Sequence, residues 1–256
     1  MTPLKKEFVN NCPLEGVFRM RGLDMTRIEV FIDASFAFAV TMLVISFDAM
    51  PTSYEEMILA IKNIPAFVIA VIQLVWIWHT HNTWSRRFGL DTTFTVVLSA
   101  ALLIVVLIYV YPMRVMAGGM FSWLSNDYLP SNFGRISMSE LTEMFIFLGV
   151  GFMALSFVFV MMYRYAETLK AELKLNPAEL HETRTIQYMW MGAAVVGFLS
   201  VVLAIMLPAR FVPFSGFAYS LMAAWFPLMH SWRSKSVPTT TKPSTDTLAD
   251  RETPLQ

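Results

Sequence analysis

Six apolar stretches, each about twenty residues long, constrain this 256-residue chain more than any other feature; they lie at 30–48, 57–80, 94–112, 141–163, 186–208 and 211–229. The hydrocarbon core of a bilayer is ~30 Å thick, and a helix needs about 20 mostly apolar residues to cross it. Each stretch is too long for a core strand, and none alternates strictly as an outer-membrane barrel strand does. The expected class is therefore all-α, a polytopic membrane protein with six transmembrane helices. Composition agrees, with 56% hydrophobic and 15% charged residues, against about 25% charged in soluble domains. The 21 Phe, 19 Met and 7 Trp exclude a disordered chain. Cys12 is the single cysteine, so no intrachain disulfide framework exists. Lys+Arg and Asp+Glu are 19 each, which argues against a nucleic-acid partner. The first stretch begins too late and runs too long for a signal peptide.

The basic residues set the orientation. With the N-terminus inside, fifteen of the 19 Lys and Arg residues fall on the cytoplasmic side, and Lys62, Arg114, Arg135 and Arg210 fall outside. That bias places both termini in the cytoplasm. Three regions follow: a cytoplasmic N-terminal segment at 1–26, a six-helix membrane domain at 27–232, and a tail at 233–256. The tail is rich in Ser, Thr, Pro, Lys and Asp, and disorder is expected there. A short interfacial helix is expected in the first segment, where Leu14, Val17, Phe18 and Met20 alternate with Arg19 and Arg21. The longest external connection is expected at 113–138. A cytoplasmic extension of the fourth helix is expected after Arg164, broken at Asn176-Pro177.

The ionisable and aromatic residues of the first two stretches carry the functional signal. Asp33 lies just inside the first span, where a carboxylate costs up to about 2.5–3.5 kcal/mol and usually faces the bundle with a partner. Trp76 and His79 share one face of the second span, whereas His79 and His81 are about 200° apart and cannot serve one metal from one helix. Only His79, His81, His181 and His230 are available, too few for a histidine-built metal enzyme, so no metal or cofactor is expected. Phe38, Thr41, Met42 and Ile45 recur at helical spacing along one stripe. Asp33 lies about 140° round the helix from Phe38, so one helix can aim the carboxylate at neighbours and Phe38 elsewhere. Ala193 and Gly197 in the fifth span read as a close helix contact.

The run Arg27-x-x-x-Phe31-x-Asp33-Ala resembles the RxxxFSD signature of the transmembrane protein 175 family, the lysosomal potassium channel family with bacterial six-helix members. Trp76 followed by His79 resembles the family's second-span Trp and His, and Tyr111-Pro112 resembles an aromatic-proline end of its third span. The resemblance covers about residues 27–112. It implies a passive potassium channel, not an enzyme, assembled as a homo-tetramer around four first helices in a lipid bilayer, with the potassium ion as its partner. It also implies a pore constriction at Phe38, with Thr41, Met42 and Ile45 as further lining. Arg27, Phe31, Asp33, Trp76 and His79 would form the network supporting that helix.

Two departures bear on conduction: Ile32 stands where the signature has Ser, and Phe38 stands where the family's ring is aliphatic. A ring of phenyl groups can close a pore by dewetting. A non-conducting membrane scaffold of the same fold is therefore the competing expectation. A membrane enzyme using His79, His81 and Asp33 is the third. No carbonyl filter of the TVGYG kind, nucleotide-binding loop or Arg-rich sensor helix occurs. The short six-span form points to a bacterial plasma membrane.

Overall fold

The computed structural model describes residues 4–45, 51–131 and 137–234. The expected tail and the end of the first expected span fall largely outside them. Helix α1 (Lys6–Asn11) and a two-stranded hairpin, β1 (Leu14–Glu15) and β2 (Phe18–Arg19), precede the bundle. The bundle comprises α2 (Arg27–Ile45), α3 (Tyr54–Lys62), α4 (Ile64–Phe88), α5 (Thr93–Leu124), α6 (Met138–Thr168) and α7 (Pro177–Met206). A 3-10 helix (Ala209–Ser220) and α8 (Leu221–Ser234) complete it.

Five segments among the described residues are long and apolar enough to cross a membrane: Tyr54–Phe88, Thr93–Leu124, Met138–Thr168, Pro177–Met206 and Arg210–Arg233. Ile104, Ile108, Phe157 and Val195 lie on their outer faces and are exposed, as side chains meeting lipid would be. The protein is an all-α polytopic membrane protein. Helix α2 has 19 residues, about 28 Å at 1.5 Å per residue. Arg27, Glu29 and Asp33 occupy its first two turns, and the stretch expected there runs on past the described residues.

Several helices run further than the apolar stretches. Helix α5 passes through Pro112 and continues to Leu124, so the external connection expected from residue 113 is partly helix. Tyr111-Pro112 therefore does not end the span. A proline without an N–H is tolerated inside a membrane helix where neighbouring groups satisfy the freed carbonyl. Helix α4 runs on to Phe88 and stops at Gly89, whose φ of 56° is the left-handed cap that glycine adopts without strain. Asn176 caps α7 in a capping box with Glu179, and Pro177 opens the helix, where its missing N–H costs nothing. The sixth span is not one α-helix; its first half is the 3-10 segment containing Pro213.

Helices α6 and α7 pack back to back. A Cβ on Gly197 would lie 3.2 Å from the Gly149 carbonyl oxygen, so the helix contact read from Ala193 and Gly197 is where the two backbones approach. Beside it an aromatic column links the layers: Trp76 lies 5.5 Å from Trp190, and Trp190 stacks on Phe159 at 4.4 Å.

The N-terminal segment differs from the interfacial helix expected at 14–21. Its helix is α1, and residues 14–19 form the hairpin, which turns Phe18 and Met20 inward and leaves Leu14 and Val17 exposed. Phe18 packs edge-on against Phe88, with the Arg87 guanidinium 4.2 Å over its ring. Arg21 and Glu179 form an ion pair at 2.8 Å with side chains 1% and 0% exposed. Removing one partner of such a pair costs about 3–5 kcal/mol, because the other charge stays buried.

Candidate functional site: the first helix and its supports

Helix α2 starts with a capping box. Thr26 Oγ1 accepts the Glu29 backbone N–H at 3.3 Å, and Glu29 Oε2 accepts the Thr26 N–H at 2.5 Å. The other Glu29 oxygen accepts a hydrogen bond from Ser85 Oγ, which joins the first turn of α2 to the last turn of α4. At its far end α2 is held by Arg114 of α5, whose Nη1 donates to the Leu43 carbonyl oxygen at 2.9 Å. A guanidinium near the C-terminal carbonyls of a helix also favours the helix dipole.

Between these anchors α2 has two unlike faces. Ile32, Phe36, Ala39 and Leu43 recur at helical spacing and are buried against the bundle, each 4% exposed or less. Ile32, the departure from the signature, is thus a core residue in an apolar contact. The opposite face carries Phe31, Phe38, Thr41 and Met42, all exposed, with Phe38 57% exposed. Thr41 Oγ1 donates to the Phe38 carbonyl oxygen at 2.7 Å, so its hydroxyl is satisfied within the helix. Ile45 ends the helix, and its side chain is outside those described. Phe31, expected in the supporting network, stands on this bare face instead.

The supports of Asp33 come from other residues than expected. Trp78 Nε1 donates to Asp33 Oδ1 at 2.7 Å. His81, 3% exposed, shares a pocket with Asp33 but pairs its Nε2 with Ser99 Oγ of α5 at 3.0 Å, so it fastens α4 to α5 rather than to α2. Trp76 and His79 do not meet Asp33: Trp76 lies against Trp190, and His79 is exposed. The reason is rotational. Trp78 and His81 have the same three-residue spacing as Trp76 and His79 but sit about 200° round the helix, on the side that meets α2. Arg27 is exposed and has no hydrogen-bond or ion-pair partner among the described residues.

Glu29, Asp33, His81, Asn82 and Arg86 line a pocket of about 240 Å³ where α2 meets α4. Among the described residues no three His, Cys, Asp or Glu side chains gather to hold a metal ion. Glu29 and Ser85 were not singled out in the sequence. Thr26-x-x-Glu29 has the capping-box spacing and was the available signal.

No family model matches the chain. A protein of Marivirga tractuosa named "Potassium channel" is 32% identical over 228 residues, 85% of this chain and 91% of that protein. Its fold is that of the potassium channel MtTMEM175, seen in a crystal structure of a single-residue variant bound to a nanobody fusion; that match has a TM-score of 0.75 and 30% sequence identity, covering 87% of this chain and 99% of that one. The chain belongs to the transmembrane protein 175 family. The family signature thus spans both faces of α2: Asp33 toward Trp78, and Phe31 on the bare side.

Proposed function

We propose that this protein is a passive, potassium-selective or cation channel, built as a homo-tetramer with four copies of α2 around one axis. The observation that carries this is the one-sidedness of α2 in a chain with the fold of a potassium channel. One face is locked into the bundle, while the other presents Phe38, Thr41 and Met42 with no covering element among the described residues. Phe38 is the constriction in this reading, and Thr41, Met42 and Ile45 line the pore beyond it. Asp33 with Trp78, and Glu29 with Ser85, hold the helix at the angle that keeps Phe38 on the axis, while His81 ties α4 to α5 behind them. Helix α2 is the first membrane span, and with the five segments above it makes six. Both termini are cytoplasmic, with the basic N-terminal segment and the connection between α6 and α7 at the inner end. The membrane is the bacterial plasma membrane. No covalent step is involved, and the protein is not an enzyme.

Size-exclusion chromatography with light scattering tests the assembly, with a tetramer expected and a monomer contradicting it. Potassium flux into liposomes tests conduction. The bulk of Phe38 favours one rival: a non-conducting scaffold of the same fold, plugged by four phenyl rings. An intact tetramer without flux that gains flux on Phe38→Ala is a closed channel. One that remains silent is the scaffold.

A further inference from the structure

We infer that residues 4–22 are a clasp that positions the pore helix, and that Arg21 and Glu179 are positioning residues for conduction; this rests on the channel reading above. The contacts run in one line across the inner end of the bundle. Arg21 gives its guanidinium to the start of α7 and the connection before it: Nη1 and Nη2 donate to the two Glu179 oxygens at 2.8 and 2.9 Å, and Nε donates to the Leu173 carbonyl oxygen at 2.9 Å. Glu179 is as fully engaged, for it also accepts the Arg19 backbone N–H at 2.9 Å and the Asn176 N–H at 2.8 Å. Leu4 N–H donates to the Glu172 carbonyl oxygen at 3.0 Å, tying the start of the segment to the same connection.

The next residue reaches α4. Gly22 N–H donates to the Arg86 carbonyl oxygen at 3.0 Å. A Cβ on Gly22 would lie 2.7 Å from the Ser85 carbonyl oxygen, so the two backbones are in direct contact. Ser85 in turn holds Glu29 in the first turn of α2. Only Leu23, Asp24, Met25 and Thr26 separate this junction from α2, and the first three are exposed. The pore helix therefore leaves a fixed point set by α7 and α4 together. Such a base limits rotation of α2 about its own axis, which decides whether Phe38 or a neighbouring small residue points inward. A bidentate pair suits this role, because the guanidinium fork fixes direction as well as distance. The two partners lie 158 residues apart in the chain and join its first segment to its fifth span.

The test compares single-channel currents of wild type, Arg21→Lys, and a variant with two glycines inserted between Asp24 and Met25. Arg21→Lys keeps the charge and loses the fork. The insertion leaves every clasp contact in place and lengthens only the exposed link, so a purely stabilising role for the ion pair predicts wild-type currents from it. The expected result is a shift of about threefold to tenfold in open probability, or in the potassium-to-sodium permeability ratio, for both variants as intact oligomers. An insertion variant with wild-type currents overturns the inference, even where Arg21→Lys fails to assemble. A wild type that carries no current overturns the channel reading and this inference with it. A conducting wild type with an unaltered insertion variant overturns the inference alone.

Discussion

At the scale of single residues, two positions on α4 separate neighbours that the sequence cannot rank. Trp78→Phe removes the indole donor from Asp33, leaving a half-buried carboxylate short of its partner. A loss of about 1–2 kcal/mol is expected, read as a lower thermal midpoint of the purified protein in mild detergent. Trp76→Phe keeps an aromatic ring against Trp190, and a loss of no more than about 1 kcal/mol is expected. Equal effects from the two would place the support of Asp33 elsewhere. Phe38→Ala should raise conductance or weaken potassium selectivity. Reconstituted Phe38→Ala protein with unaltered currents would remove Phe38 from the pore. Periodicity shows which residues share a helix face, and on that basis Trp76/His79 and Trp78/His81 are equivalent. Only the packing of α4 against α2 tells them apart, which is why Asp33 was legible as a residue needing a partner while the partner on α4 was not.

At the scale of elements, α2 is a helix held at both ends. Arg114→Met keeps most of the side chain's bulk and removes the donor to the Leu43 carbonyl oxygen. The later turns of α2 should then exchange their amide hydrogens faster than in wild type, with α6 and α7 unaffected. Unchanged exchange in α2 would show that Arg114 does not anchor it. Gly197→Leu places a side chain into the Gly149 backbone and Met153. It should cost about 1–3 kcal/mol through overpacking, checked by thermal unfolding of the detergent-solubilised protein. The apolar stretches located these elements because a bilayer sets a minimum length for each. They did not locate the ends, since α4 and α5 continue through Arg86, Pro112 and Arg114, where hydropathy falls but backbone hydrogen bonding persists. The N-terminal segment departs from expectation for a related reason. Its alternating Leu14, Val17, Phe18 and Met20 suit a surface helix, while the buried Arg21–Glu179 pair joins residues far apart in the chain.

At the scale of the whole molecule, membership of the transmembrane protein 175 family and the one-sided packing of α2 carry the same implication. Among the described residues nothing covers the bare face of α2, and the proposed assembly of four copies around an axis would cover it. The most direct measurement is potassium flux through purified protein in liposomes, run against sodium and with an ionophore control for vesicle integrity. The channel account predicts potassium flux well above both sodium flux and empty vesicles. Vesicles shown to contain the intact oligomer, yet passing neither ion, would contradict it.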